Sequence, residues 1–598
     1  MSTSMKKKRF EISDWTDFLL PNFQGSAPKK PKNSLWTLTF FLSICLILFF
    51  AVFLRLFHLQ IIQGQTNREL ADGNRIKVKI AHATRGVIFD RNGKILAANS
   101  PAFRLKGKLI TREEALELEV KNDPRIAELE VDNVRNYPLS VEFAHVIGYV
   151  GQISEEQLKI EQFKNYKAGD RIGQAGVEAQ YEEVLKGVDG GEIIEVDAEG
   201  RKLRTLRKNS PIPGQNLYLT IDAPLQHQAY LMLKDAVVKS GSCCGALVAE
   251  DPASGQILAL LSIPSFDNNQ FSDPKGNVEA VLNDPHSAVL NRAIGGTYPP
   301  GSTYKIISSL AALGSGKITP QTQIEDTGEI FLGPFRFTNW YFTQYGRKEG
   351  PVNLVKALQR SNDIYFYRVG EIVSEKGLIE WSRKLKLGGK LNIDLPGEVS
   401  GLVPDNEWKK KNFEEVWFPG DTLHMAIGQG YVLTTPLQVL GITSFIAADG
   451  KLYQPQLALK VVSDKGKEIR GFEPKVLAGD LISPSQIRFI QQGLEEVPKA
   501  GGTAWPFFSF PFETAGKTGT AEYGDPKDRT HAWYTAYAPV NDPRIALTVL
   551  IEGGGEGSSV ASPVAKEVLR WFLSENKKNL VKDINAPVAT DSARTLGE

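Results

Sequence analysis

Between Lys32 and Arg55 the chain carries no charged residue, and Leu35 to Leu54 is apolar almost throughout. As helix, about 20 residues rise roughly 30 Å, the hydrocarbon thickness of a bilayer. The segment therefore reads as one membrane crossing. A buried core helix rarely keeps so long an unbroken run, and a cleaved signal peptide has a shorter apolar region ending in small residues. Here Leu56 and Phe57 continue it, so an uncleaved anchor is expected. Ahead of it stand Lys6, Lys7, Lys8, Arg9, Lys29, Lys30 and Lys32 against only Glu11, Asp14 and Asp17. The positive-inside rule keeps such a basic segment, residues 1–34, in the cytoplasm and places everything beyond Leu54 outside.

The rest of the chain has no second stretch of that length. Its 598 residues hold 70 basic and 69 acidic side chains, a formal charge of +1, which excludes binding of a polyanion through bulk charge, so nucleic acid is not an expected partner. With 42% hydrophobic and 23% charged residues the composition is that of a globular protein with ample core. Three cysteines, Cys45 in the apolar run and the adjacent Cys243 and Cys244, cannot make a disulfide framework or a four-ligand zinc site. The pair is expected to pack beside a strand. The histidines, at positions 58, 82, 145, 227, 286, 424 and 531, lack metal-ligand spacing, so no metal or cofactor is expected.

An α+β architecture follows from the pattern. Residues 55–212 are charged, with short apolar runs broken by Asn92-Gly93, Asp123-Pro124 and Gly169-Asp170, and read as an elongated strand-rich pedestal. Asp90-Arg-Asn-Gly93 is expected to be a turn. Pro211 to Gly214 marks a boundary, and a second domain is expected over 213–575. In it Asn216 to Asp222 reads as a strand and Pro224 to Lys239 as a helix, while Gly245–Glu250 and Gln256–Ser262 form an antiparallel hairpin beside helices. A strand at Arg544–Ile551 precedes a helix over Pro563–Leu573. Residues 576–598 are polar and patternless, a loose tail.

Three short segments carry chemistry. In the first, Pro299-Pro300-Gly301 puts Ser302 at the start of an apolar helix in which Ile306, Leu310 and Leu313 follow helical spacing and Gly314 is a candidate cap. Ser302 and Lys305 then share one face. A serine hydroxyl needs a base to become a nucleophile, and a buried lysine partly neutralised by desolvation can serve. The bare Ser-x-x-Lys spacing also begins at Ser4, Ser26, Ser272 and Ser574, so the rigid turn and core-type helix carry the argument. The second segment is Ser361-Asn362-Asp363, a polar cluster inside an apolar helical stretch; alone, Ser361 reads more readily as a cap. The third is Lys517-Thr518-Gly519-Thr520, where glycine lets a ligand approach the backbone. It is not the end of a nucleotide-binding loop, because Pro511 stands where that loop needs glycine.

Taken in order behind one anchor, these segments resemble the penicillin-recognising serine enzymes with their Ser-x-x-Lys, Ser-x-Asn-like and Lys-Thr-Gly motifs. The likeness, from Arg55 to about Leu573, is to class B penicillin-binding proteins, monofunctional peptidoglycan D,D-transpeptidases. Ala83 to Gly93, Gly176 to Tyr181, Ala426 to Gly430 and Thr435 to Gln438 agree with it. Tyr298-Pro-Pro, Tyr365-Phe-Tyr367 and His531-Ala-Trp533 resemble the elongation type more than the division type.

The resemblance implies a single transmembrane helix, a pedestal or dimerisation-like domain, and a transpeptidase domain built on a central antiparallel sheet flanked by helices. It implies that Ser302 forms the acyl-enzyme with the donor stem peptide at D-Ala-D-Ala and that Lys305 is its base. Ser361 would relay a proton, Asp363 hold that network, and Lys517 with Thr518 receive the donor carboxylate. The Ser302 and Thr520 amides would form the oxyanion hole beside Gly519. It implies β-lactams as substrate mimics and, no glycosyltransferase module being found ahead of the spacer, a separate SEDS-type (shape, elongation, division and sporulation) glycan polymerase as partner. Two departures stand out. The middle motif has aspartate where asparagine is commoner, and Asp363 rather than Asn362 is expected to face the site. Only about 35 residues separate Phe103 from Tyr137, a reduced head. A D,D-carboxypeptidase or β-lactamase on the same machinery stays open, although no Glu-x-x-Leu-Asn run is found, as does a non-catalytic sensor or scaffold binding wall fragments.

Overall fold

The computed structural model describes residues 34–105, 108–123, 125–126, 129–197 and 202–574. The basic residues ahead of Ser34 and the tail expected at 576–598 lie outside the described residues. The chain divides into two bodies, one ending at Lys79 and including Glu192–Lys208, the other formed by Ile80–Gly191 and the residues from Asn209 onward.

The first body contains helix α1, Ser34–Phe57. The apolar span Leu38–Ile62 has a mean hydropathy of 2.7 and none of it is buried in protein. A helix apolar all round satisfies its backbone internally and needs an apolar solvent for its side chains, which a bilayer provides. Elsewhere in this body Glu192 pairs with Lys202 and Lys208, each at 2.9 Å.

The second body holds two large sheets, of seven and five strands, beside several two-stranded ones. The first contains β1 (Ile88–Phe89), β2 (Ile95–Leu105) and β3 (Asn216–Leu219). Strand β3 pairs in parallel with β1 and antiparallel with Ala458–Val462, so the sheet runs across the position where the two domains are expected to meet. Asp90 stitches the same junction. Fully buried, its carboxylate accepts the Asn92 and Lys94 amides at 2.8 and 2.7 Å and the Ala223 amide at 3.2 Å. Ala223 opens helix α2 (Ala223–Lys239), which Asp222 caps by accepting from the Leu225 amide at 3.1 Å. The turn at Asp90-Arg-Asn-Gly93 is thus a joint.

The second sheet is antiparallel. It comprises β4 (Gly245–Asp251), β5 (Gln256–Ile263), β6 (Ala515–Glu522), β7 (Thr530–Ala538) and β8 (Ile545–Ile551), in the order β5-β4-β8-β7-β6. Alternate residues of β4 enter different cores. Leu247 and Ala249 pack with α2 and the C-terminal helix Ser562–Leu573, while Ala246 and Val248 face the layer that contains helix Pro436–Ala447. Both faces are covered, so these strands read as nearly continuous apolar runs. Every residue of helix Pro436–Ala447 is buried. It is therefore a core helix, too short to span a membrane.

The cysteine pair stands beside a strand, as expected, and carries a bond that its spacing did not suggest. Cys243 and Cys244 are joined to each other by a disulfide immediately before β4. The pair closes a ring between neighbours and ties no two elements together, because constraint of the unfolded chain grows with the length of the closed loop. His286 lies within 4.8 Å of both sulfur atoms, but the bond between them leaves no thiolate for a metal.

Candidate active site

The Ser302 turn is clamped from three sides. Gly301 has φ +53° and its amide donates to the Gly428 carbonyl at 2.9 Å; a Cβ there would stand 2.9 Å from the Thr520 carbonyl oxygen. Trp533 Nε1 donates to the Pro299 carbonyl at 3.0 Å and Thr303 Oγ1 to the Pro300 carbonyl at 2.8 Å. The result is a 3₁₀ turn, Gly301–Tyr304, leading into helix α3, Lys305–Gly314. The sequence reading began the α-helix at Ser302; the tighter turn serves the pairing better, because residues three apart eclipse in 3₁₀ geometry. Ser302 is half-buried and Lys305 fully buried. Gly314 lies inside the helix, with Ser315 at its C-terminus. A Cβ on Gly314 would meet the Trp381 ring at 2.1 Å, so close packing and not capping explains the glycine.

Helix α4 (Leu354–Arg360) ends at Ser361, which has φ +52°, and α5 (Asp363–Lys384) begins directly after it. That left-handed residue separates two helices that the apolar pattern presents as one. Asn362 turns away from the cluster, its Oδ1 accepting from the Tyr365 amide at 2.9 Å as the α5 cap. Asp363 turns inward, and its Oδ1 accepts from Lys305 Nζ at 2.6 Å. Lys305 Nζ also donates to the Ser361 carbonyl at 2.8 Å and Ser361 Oγ at 3.2 Å. From the edge strand β6, Lys517 Nζ donates to the same hydroxyl at 2.8 Å. Two buried lysine amines thus converge on Ser361 Oγ.

Thr518 Oγ1 shares a hydrogen bond of 2.7 Å with Thr503 Oγ1, while Thr520 is exposed and its Oγ1 accepts from the Gly557 amide at 3.2 Å. Gly519 brings β6 against the nucleophile turn: a Cβ there would lie 3.0 Å from Thr303 Cγ2 and 3.1 Å from the Pro300 carbonyl oxygen. Sequence reading singled out Ser302, Lys305, Ser361, Asp363, Lys517, Thr518, Gly519 and Thr520, and the fold brings all three motifs into one neighbourhood.

It missed the support beneath them. Asp326, buried, accepts from Asn339 Nδ2 and Asn362 Nδ2 at 2.9 Å, the Glu349 amide at 3.0 Å and the Gly328 amide at 2.8 Å. Asn339 Oδ1 accepts from the Asp363 amide at 3.2 Å, and the Trp340 amide donates to Asp363 Oδ2 at 3.0 Å. No motif marks these residues.

Burial holds both lysines below the usual lysine range. For Lys305 the Asp363 carboxylate offsets part of that shift; for Lys517 the neighbouring Lys305 adds to it, and it lies well below. Two cations this close in a dry site cannot both stay charged without cost, so one is readily neutral. The cluster therefore offers a half-buried hydroxyl, two buried lysine amines that lose a proton readily, a hydroxyl bridging those two lysines, and an edge strand whose alternate amides have no neighbouring strand.

Comparison with known proteins identifies the class. Residues 245–570 match the penicillin binding protein transpeptidase domain and residues 106–219 the penicillin-binding protein dimerisation domain. The chain belongs to the penicillin-binding protein transpeptidase family, a family of serine-type enzymes. Among its relatives is the peptidoglycan D,D-transpeptidase MrdA of Haemophilus influenzae, 32% identical over 96% of this chain and 97% of that protein. Among solved structures, Pseudomonas aeruginosa PBP2 in complex with WCK 5153 superposes with a TM-score of 0.67 at 33% identity, covering 84% of this chain and 98% of that one. A chain from a peptidoglycan synthase complex that coordinates polymerization and crosslinking has a TM-score of 0.70 at 29% identity, covering 91% and 99%.

Proposed function

We propose that this protein is the elongation-type peptidoglycan D,D-transpeptidase of its cell, acting through an acyl-enzyme on Ser302. The observation that carries the assignment of roles is the convergence of Lys305 and Lys517 on Ser361 Oγ beside the half-buried Ser302 turn. Lys305, neutral, takes the Ser302 proton as Oγ bonds to the penultimate D-Ala carbonyl carbon of a donor stem peptide. Backbone amides of Ser302 and Thr520 receive the developing oxyanion. The C–N bond then breaks, and Ser361 passes the proton from Lys305 to the departing D-Ala amine, while Lys517 and Thr518 hold the carboxylate of that residue. An acceptor amine attacks the ester, forming the cross-link and returning the proton to Ser302. Asp363 keeps Lys305 aimed at this relay, and no nucleotide is needed because the cleaved amide supplies the bond energy. β-Lactams acylate the same serine.

The anchor α1 holds the enzyme in the cell membrane with its N-terminus cytoplasmic and its catalytic domain outside. A SEDS-type glycan polymerase supplies the strands; the likeness to a chain from a peptidoglycan synthase complex supports that partnership. The pedestal, with its reduced head, gives the partner its docking platform. Fluorescent penicillin tests the chemistry. Stable labelling of the wild type, none for Ser302→Ala, and cross-linked product from a donor and acceptor stem peptide are the expected results. Labelling that persists in Ser302→Ala sinks the assignment of the nucleophile, and label released within minutes indicates a hydrolase.

A further inference from the structure

Immediately before β4 the bonded pair Cys243-Cys244 faces a third soft donor. Both sulfur atoms and one ring nitrogen of His286 lie within 4.8 Å of one another. Cys244 is buried, while Cys243 and His286 are exposed, so the group opens to solvent on one side. The backbone beneath it is fixed. The Cys244 carbonyl accepts from the Glu552 amide at 2.9 Å, and the Cys244 amide donates to Ser242 Oγ at 3.1 Å.

Arg292 sets the spacing of the three donors. This buried guanidinium gives Nε to Glu552 Oε1 at 2.8 Å, Nη1 to the Ser287 carbonyl at 3.1 Å, and Nη2 both to the His286 carbonyl and, at 3.5 Å, to Cys244 Sγ. One side chain thus ties the loop that carries His286 to the sulfur it faces. Asp284 shapes the same loop, its Oδ1 accepting from the His286 amide at 2.9 Å. A bond between neighbouring residues constrains almost none of the unfolded chain, so stapling does not account for the pair.

We propose that Cys243 and Cys244, once reduced, bind zinc together with one ring nitrogen of His286, water completing the tetrahedron. Zinc holds thiolate sulfur at about 2.3 Å and imidazole nitrogen at about 2.0 Å, so its donors stand roughly 3.5–3.8 Å apart. Reduction lets the two sulfurs part to that distance, and the exposed ring, already within 4.8 Å, closes by about 1 Å. Two thiolates cancel the charge of the ion, and Arg292, paired with Glu552, becomes an outer donor to the Cys244 thiolate. Sulfur and imidazole select zinc over magnesium and calcium, which take oxygen. The disulfide is the closed state of the site. Opening it takes two electrons and two protons from a dithiol, which becomes a disulfide in turn; zinc then displaces both thiol protons as the two Zn–S bonds form.

Zinc competition against a chromophoric chelator tests this on the untagged, detergent-solubilised full chain carrying Cys45→Ser, so that the pair supplies the only thiols. The chain is reduced with a phosphine, which leaves as its oxide, and is then desalted. One zinc per chain is expected with a Kd on the order of 1 μM or tighter, about 100-fold or more tighter than for the oxidised chain, which has no thiolate to offer. His286→Ala is expected to weaken binding about tenfold or more and Cys243→Ser to abolish it. His227→Ala, whose ring pairs with Glu142, leaves it unchanged. Equal zinc uptake by the oxidised and reduced chains overturns the site, as does a folded His286→Ala that binds like its parent or a pair that the phosphine cannot open in the folded chain. Should the variants not fold, alkylation of the reduced parent decides: zinc must slow modification of Cys243, read by mass spectrometry, and unchanged modification overturns the proposal.

Discussion

Asp363 shows how one carboxylate tunes the reaction. It opposes the effect of burial on Lys305, so Asp363→Asn is expected to lower the Lys305 pKa further. The acidic limb of the acylation rate then moves to lower pH, and the maximum rate falls about 100-fold as the lysine loses its aim. Stopped-flow acylation against pH reads both effects, and an unmoved limb means Lys305 is not the titrating base. A second buried acid acts on stability alone. Glu250, on β4, is pushed by burial from the ordinary 4.5 to about 7, with the nearby Ser444 hydroxyl opposing that shift only in part. The folded state thus holds a proton that the unfolded chain releases. Its stability is full below pH 4.5, falls as pH rises to about 7 and is flat above, a loss of about 3 kcal/mol. Unfolding free energies at pH 5 and pH 8 are expected to show that slope in wild type and to lose it in Glu250→Gln. The reactive residues were legible in the sequence because each sits in a local motif. Asp326, Asn339 and Trp340 were not, because their role exists only after distant segments meet.

At the scale of elements, α3 and α5 carry the two halves of the site and pack through Gly314 against Trp381. Gly314→Ala places a methyl where the indole stands. Overpacking of that kind costs about 2 kcal/mol, and denaturant unfolding should show it together with slower penicillin acylation as Lys305 shifts. Unchanged stability would mean that the helices separate freely there. No local pattern marks this contact, since glycine near a helix end ordinarily signals a cap. The break between α4 and α5 was equally hidden: Ser361 adopts a left-handed conformation that its residue type does not advertise. Strand and helix identities were clearer, because alternating cores on β4 and apolar faces on α2 leave periodic signals.

For the whole molecule the anchor and the catalytic body answer to different solvents. Removing residues 1–62 is expected to move the protein from the membrane fraction to the aqueous one while preserving Ser302-dependent labelling; continued sedimentation with membranes would place a second anchor elsewhere. The sequence by itself determined the membrane span, the α+β class and the three motifs, because each depends on residues within a few turns or strands of one another. Only the tertiary structure decided that Asp326 and Asn339 brace the Asp363 turn, that two lysines share one serine hydroxyl, that a sheet crosses the expected domain boundary, and that Cys243 bonds Cys244. Those outcomes depend on how segments hundreds of residues apart share space, charge and hydrogen bonds, and no local periodicity encodes that sharing.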